Sequence, residues 1–117
     1  MFGIGVDIEK ICRFQNKTQN NDLHFLKTIF TDAELAYSFS DTKSAQHLCA
    51  RFCAKEATIK ALYSLGLKSI PLNEIEILNN NDGVPQLKIK NYENLKTKVS
   101  LSHTTEDAIA FILIEKT

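Results

Sequence analysis

The sequence predicts an α+β fold, a mostly antiparallel sheet packed on one long helix with shorter helices beside it. Three observations carry that expectation. Phe2, Ile4, Val6 and Ile8 alternate with Gly3, Gly5 and Asp7, which is the period of a strand. Lys43–Leu67 instead repeats its apolar residues at helical spacing, and Gly66 and Pro71 mark its end. Beyond Pro71 the pattern returns to short alternating runs separated by turn residues, with no repeat or linker dividing the chain. At 117 residues one domain over 1–117 is expected, with a real core and little chain to spare.

Each element has its own reason. The opening strand is apolar on one face and carries two glycines and an acid on the other. Glycine within a strand marks close approach by another backbone or a ligand, so Asp7 is expected to point from an open face. Asp22–Phe30 reads as a short amphipathic helix through Leu23, Phe25, Leu26 and Ile29. Thr31 is a good N-cap for a second helix, and Glu34 three residues on completes a capping box. After the long helix, Glu74–Leu78 and Gln86–Lys90 alternate, with Ile75, Ile77, Leu87 and Ile89 inward. The polar Asn79–Gly83 turn between them makes a hairpin. Tyr92–Lys96 reads as one helical turn, and Val99–Thr104 and Ala108–Glu115 as strands. The last is apolar on both faces, as a central strand is.

Composition limits the function. Fourteen basic and fourteen acidic residues balance, so no field of one sign draws the chain to nucleic acid or an anionic membrane. The N-terminus lacks a signal pattern, and the longest apolar run, Ala108–Ile114, is too short to span a bilayer. Cys12, Cys49 and Cys53 are an odd number in core-like settings, which reads as free thiols in a reducing, cytoplasmic compartment. Neither His24 nor His47 has the spacing that would join them in a zinc site.

The chemistry is concentrated in a few charged groups. At 100° per residue, Leu48, Ile59, Phe52, Ala45, Tyr63, Cys49 and Cys53 share one helix face, with Glu56 and Lys60 among them. A buried unpaired carboxylate costs several kcal/mol, so Glu56 should be paired or metal-bound. Lys60, four residues on, is the simplest partner. Asp7 supplies a second carboxylate on a separate rigid element. Two such groups suit a hard divalent cation, magnesium or alternatively manganese, completed by water and substrate phosphate oxygens. Lys55 stands at the stripe's edge with Arg51 a turn before it, and Ser102-His103-Thr104 ends a strand with an imidazole and two hydroxyls. These groups suggest a magnesium-dependent reaction on a phosphate-containing substrate and leave open which one. A nuclease would share the chemistry, although a neutral chain with no basic stripe argues against it.

The order of the motifs resembles the holo-acyl-carrier-protein synthases, the small group of 4′-phosphopantetheinyl transferases. Gly5-Val6-Asp7 with Arg13 resembles their opening GxDxxxxxR, and Arg51–Ala57 with Lys60 their RFxxKEAxxK helix. Ser100–Thr104 is similar to their penultimate strand and Gly83-Val84-Pro85 to their GxP turn. The resemblance runs from Gly3 to Glu115.

It implies transfer of phosphopantetheine from coenzyme A to a serine of apo acyl carrier protein, with release of 3′,5′-ADP, in support of fatty acid biosynthesis. Asp7 and Glu56 would hold magnesium, and Lys60 would contact the transferred group. A metal-bound water or Glu56 would take the serine proton. Lys43, Arg51, Lys55, Gly83, Pro85, Ser102, His103 and Thr104 would line the coenzyme A site. Arg13, Phe14 and Lys17 would meet the carrier protein's acidic helix. A homotrimer with active sites between subunits is also implied. A binding module that holds coenzyme A or the carrier protein without chemistry is the non-enzymatic alternative. Two stretches depart from the pattern: Leu62-Tyr63-Ser64-Leu65-Gly66-Leu67 stands where relatives carry a glycine-rich loop, and Phe14–Asn21 is poor in arginine.

Overall fold

The computed structural model describes residues 1–117. In chain order it comprises β1 (Phe2–Lys10), a 3-10 turn (Ile11–Phe14), α1 (Gln19–Lys27), α2 (Asp32–Ser38) and α3 (Ser44–Ser64). A 3-10 turn (Leu72–Glu74), β2 (Ile75–Asn79), β3 (Pro85–Ile89), β4 (Lys96–His103) and β5 (Asp107–Glu115) follow. The fold is α+β: an antiparallel sheet in the order β1-β5-β4 lies on α3, and β2 and β3 form a separate hairpin. β5 is central, as its two apolar faces require, and buries Ala108, Ala110, Ile112 and Ile114.

Local signals set most boundaries. Thr18 caps α1 by accepting from the Asn21 N–H, so that helix runs three residues earlier at each end than its apolar pattern suggests. The Thr31–Glu34 capping box forms as expected. Tyr92–Lys96 is not helical. Asn91 turns the chain at φ 71°, one bond from Leu95 N–H to Tyr92 O closes the turn, and Lys96 already pairs with Glu115 in β4.

One expectation is reversed. The glycine face of β1 is the one α3 covers, while Phe2, Ile4, Val6 and Ile8 are exposed beside Ile109 and Phe111 of β5. A Cβ at Gly5 would lie 1.8 Å from the Ala57 carbonyl oxygen, and one at Gly3 would lie 2.4 Å from that of Ala61. Helix and strand therefore meet backbone to backbone, through Gly3 and Gly5 on one side and Ala57 and Ala61 on the other. Small residues define this contact, so the large apolar residues misstate which side of α3 is inside. Glu56 is half-buried and Lys60 and Tyr63 are exposed, not lodged in an apolar stripe. Only the N-terminal half of α3 is covered there, where Phe14 of the 3-10 turn packs on Phe52 and the Cys49 thiol reaches the Glu9 carbonyl.

Gly5→Ala should lower the melting temperature by about 10 °C, the effect of roughly 3 kcal/mol of overpacking in a domain this size. A shift under about 2 °C would show that α3 and β1 do not touch there.

Candidate active site

The site lies along the free edge of β1. Ser64 Oγ accepts from the Ile4 N–H at 3.2 Å and donates to the Ala61 carbonyl at 2.8 Å. One turn back, Lys60 Nζ donates to the Val6 carbonyl at 3.0 Å and stands 3.5 Å from Asp7 Oδ1. Four helical residues rise about 6 Å and two strand residues about 6.8 Å, so the two elements stay in step. Carried one step further, the same spacing puts Glu56 at the level of Ile8, the residue after Asp7.

Lys60 is thus drawn to the strand and not to Glu56, contrary to the simple i,i+4 pairing. Asp7 points to the α3 side, where Cys53 lies. The neighbouring Cys49 thiol and burial, and after them the negative charge of Asp7, hold the Cys53 thiol far up in its protonated form. Asp7 keeps 20% of its side chain exposed and Lys60 56%.

No group of three His, Cys, Asp or Glu side chains converges in this chain. A metal here would have two carboxylates from the protein and would need water and substrate oxygens for the rest. Asp7 and Glu56 at an accessible edge, both hard oxygen donors, fit a small divalent ion of that habit.

A second cluster sits at the other end of α3. His103, on the α3 side of β4, bonds through Nε2 to Gln46 at 3.1 Å. Lys43 is the N-cap of α3 and is exposed. Its N–H, and after it His47, hold the Asp41 carboxyl below the usual carboxylate range. Tyr37 stands edge-on to His47 at 5.1 Å and accepts from Asn79, which pairs with Pro85 across the hairpin. Gly83, at φ +79°, makes the hairpin tip. Gln46 precedes Glu56 by ten residues, about 15 Å along the helix.

Three expected ligand contacts, those of Lys55, Arg51 and Phe14, are corrected by burial. Lys55 is fully buried: its ammonium meets Glu34 Oε1 at 2.6 Å and donates to the Leu72 and Ile75 carbonyls, so it is beyond reach of a phosphate in solution. Arg51 is also buried. Its Nε donates to the Ile77 carbonyl, its guanidinium lies over Tyr37, and Nη2 is left without a partner. Phe14 is 1% exposed in an aromatic cluster with Phe30 and Phe52, so it holds the core and not a partner. Thr104 Oγ1 accepts from the Glu106 and Asp107 N–H groups in the β4–β5 turn and stays exposed. Ser102 is exposed on the opposite face of the sheet from His103, because neighbouring strand residues alternate.

Arg13 and Lys17 lie nearer solvent. Arg13 Nη1 pairs with Glu9 Oε2 at 2.6 Å, and its guanidinium stands 4.5 Å over the Phe52 ring. The Lys10 N–H, and after it Arg13, hold the Glu9 carboxyl below its usual range. Lys17 lies 5.1 Å over Phe25.

Three roles were not foreseen from the sequence. Glu34 was explained by its capping box, which hides its second task against Lys55. Gln46 carries no signal at all. Ser64 could have been found only from the close approach of β1 and α3.

Known proteins are similar to this chain along nearly its whole length. The family model described as the 4′-phosphopantetheinyl transferase superfamily matches residues 3–112. The holo-[acyl-carrier-protein] synthase of Thermodesulfovibrio yellowstonii is 42% identical over 112 residues, 96% of each chain. That of Cytophaga hutchinsonii is 41% identical over 125 residues, covering 97% of each chain. Among solved structures, the holo-(acyl-carrier-protein) synthase of Bacillus anthracis in complex with CoA (3′,5′-ADP) superposes with a TM-score of 0.77 at 28% identity. It covers 98% of this chain and 96% of that one.

Proposed function

The chain belongs to the 4′-phosphopantetheinyl transferase superfamily and to the holo-[acyl-carrier-protein] synthases within it, and on that basis we propose that one domain over 1–117 transfers phosphopantetheine from coenzyme A to a serine of apo acyl carrier protein. The serine hydroxyl attacks the phosphorus bearing the pantetheine arm. The bond to the bridging oxygen breaks, 3′,5′-ADP leaves and the serine proton is released. Such a reaction needs positioning and charge neutralisation more than covalent help from the protein. The product supports fatty acid biosynthesis, and the free thiols Cys12, Cys49 and Cys53 suit the cytoplasm. No helix is long and apolar enough to cross a membrane.

The observation that carries the reading is the pair of contacts that Ser64 and Lys60 make along the β1 edge, with Asp7 against Lys60 and Glu56 one helical turn before Lys60. Asp7 and Glu56 would hold magnesium or manganese, which when bound offsets charge on the pyrophosphate. Lys60 is already neighbour to Asp7 and largely exposed, so its ammonium is free to turn toward the transferred phosphate. His103, with Gln46 behind it, and the exposed Lys43 are the groups left to receive the adenosine 3′-phosphate. Mass spectrometry of apo carrier protein incubated with coenzyme A and magnesium tests the reading. A gain of the phosphopantetheine mass is expected, and no gain would leave at most a binding module.

Two features favour a homotrimer with sites between subunits. Phe2, Ile4, Val6, Ile8, Ile109 and Phe111 form one exposed apolar sheet face, a size and continuity that mark an interaction surface. The metal end and the His103 end also stand about 15 Å apart along α3 in one chain. A handful of bonds joins a pyrophosphate to a ribose 3′-phosphate, so the two ends of one site are better supplied by two chains. Sedimentation at micromolar concentration should give three copies; a monomer with full activity would refute the arrangement.

Arg13 offers a charge for carrier-protein docking, and Arg13→Ala should raise the KM for carrier protein several-fold while leaving that for coenzyme A within about twofold. Equal changes in both would exclude the docking role.

A further inference from the structure

We propose that Tyr63 is a substrate-binding residue, packing its ring on the uncharged pantetheine arm of coenzyme A beyond the transferred phosphate. The inference rests on the transferase reading and adds to it the place of the arm. Tyr63 follows Glu56 by seven residues, two turns, so its side chain projects within about 20° of the Glu56 direction and about 10 Å further along α3. It is 65% exposed, the largest exposed ring on this helix. Lys60 lies between them on the same open side. A chain leaving a phosphate beside Asp7, Glu56 and Lys60 and running toward the helix C-terminus passes over this ring.

The nature of the helix end decides which part of the substrate lies there. The N–H groups of Leu65, Gly66 and Leu67 donate to the carbonyls of Leu62, Tyr63 and Leu62. None remains to cradle a phosphate. The Ser64 hydroxyl is committed to Ile4 and Ala61, and the helix C-terminus carries partial negative charge, which repels anions. An uncharged chain of methylenes and amides suits this end. An aromatic ring gives it apolar contact and offers a hydroxyl to an amide carbonyl.

The test compares two ligands that differ by the arm. Calorimetry in magnesium is carried out with coenzyme A and with 3′,5′-ADP, on the unmodified chain, Tyr63→Ala and Tyr63→Phe. Tyr63→Ala should weaken coenzyme A about tenfold and 3′,5′-ADP by less than twofold. Tyr63→Phe should keep affinity for coenzyme A within about threefold, because the ring remains. Equal weakening of both ligands, or of neither, overturns the proposal. A change in sedimentation of Tyr63→Ala would assign the ring to a subunit contact and overturn it as well. Failure of the functional reading has a separate signature, the absence of transfer by the unmodified chain. Failure of that chain to bind coenzyme A would overturn both.

Discussion

Glu56→Gln and Asp7→Asn are each expected to slow phosphopantetheine transfer at least a thousandfold while leaving the melting temperature within about 2 °C. Both substitutions keep size and hydrogen-bonding capacity and remove only the charge. The two acids lie at the accessible edge where α3 runs beside β1, and neither is part of the buried core. Their loss therefore spares the fold. A divalent ion stabilises developing charge in such a reaction by several kcal/mol, and about 4 kcal/mol corresponds to a factor of a thousand. A second readout separates metal from chemistry. Magnesium should raise the melting temperature of the unmodified chain in the presence of 3′,5′-ADP, and this gain should vanish in both variants. Near-normal turnover in either would remove that residue from the metal site.

The second large effect falls on stability. Lys55→Met should cost about 3–5 kcal/mol, roughly 10–20 °C in melting temperature, as the loss of one partner from a buried ion pair does. Glu34 would be left with a buried charge answered only by two N–H donors, from Thr31 at 2.9 Å and Ile77 at 2.8 Å. The Ile77 bond ties α2 to the hairpin, while Lys55 ties both to α3. Burial pushes the Lys55 ammonium below the ordinary lysine range, opposed by the negative charge of Glu34. The Lys55→Met/Glu34→Leu double variant should recover part of the loss, because two apolar groups in place of a buried pair are often neutral. A coupling energy below about 0.5 kcal/mol in the full cycle would show that the pair does not act as a unit.

Much of the fold was legible because its signals are local. Alternation in Phe2–Ile8, the Thr31–Glu34 box and the double-faced apolar run of β5 depend on neighbours in sequence, and each formed where expected. Of the site, Asp7, Glu56 and Lys60 stood out as charges in a patterned setting, and they do lie on β1 and α3, the pair of elements that meet. Glu56 does not lie in a buried apolar stripe; it is half-buried on the same open side of α3 as Lys60, which meets Asp7.

What the sequence determined by itself was which segments pair with a short-range partner: strand, cap, turn and the chemical types available for a site. The tertiary structure alone decided which face is inside. Gly3 and Gly5 let backbone meet backbone against Ala57 and Ala61, and that contact turned the apolar side of β1 outward and left Lys60 and Tyr63 on an open side of α3. It likewise took Lys55 from the expected phosphate site into a pair with Glu34, a residue 21 positions away in sequence. Periodicity ranks residues by hydrophobicity, whereas burial is set by how closely two backbones approach, and that distance is not a property of either segment alone.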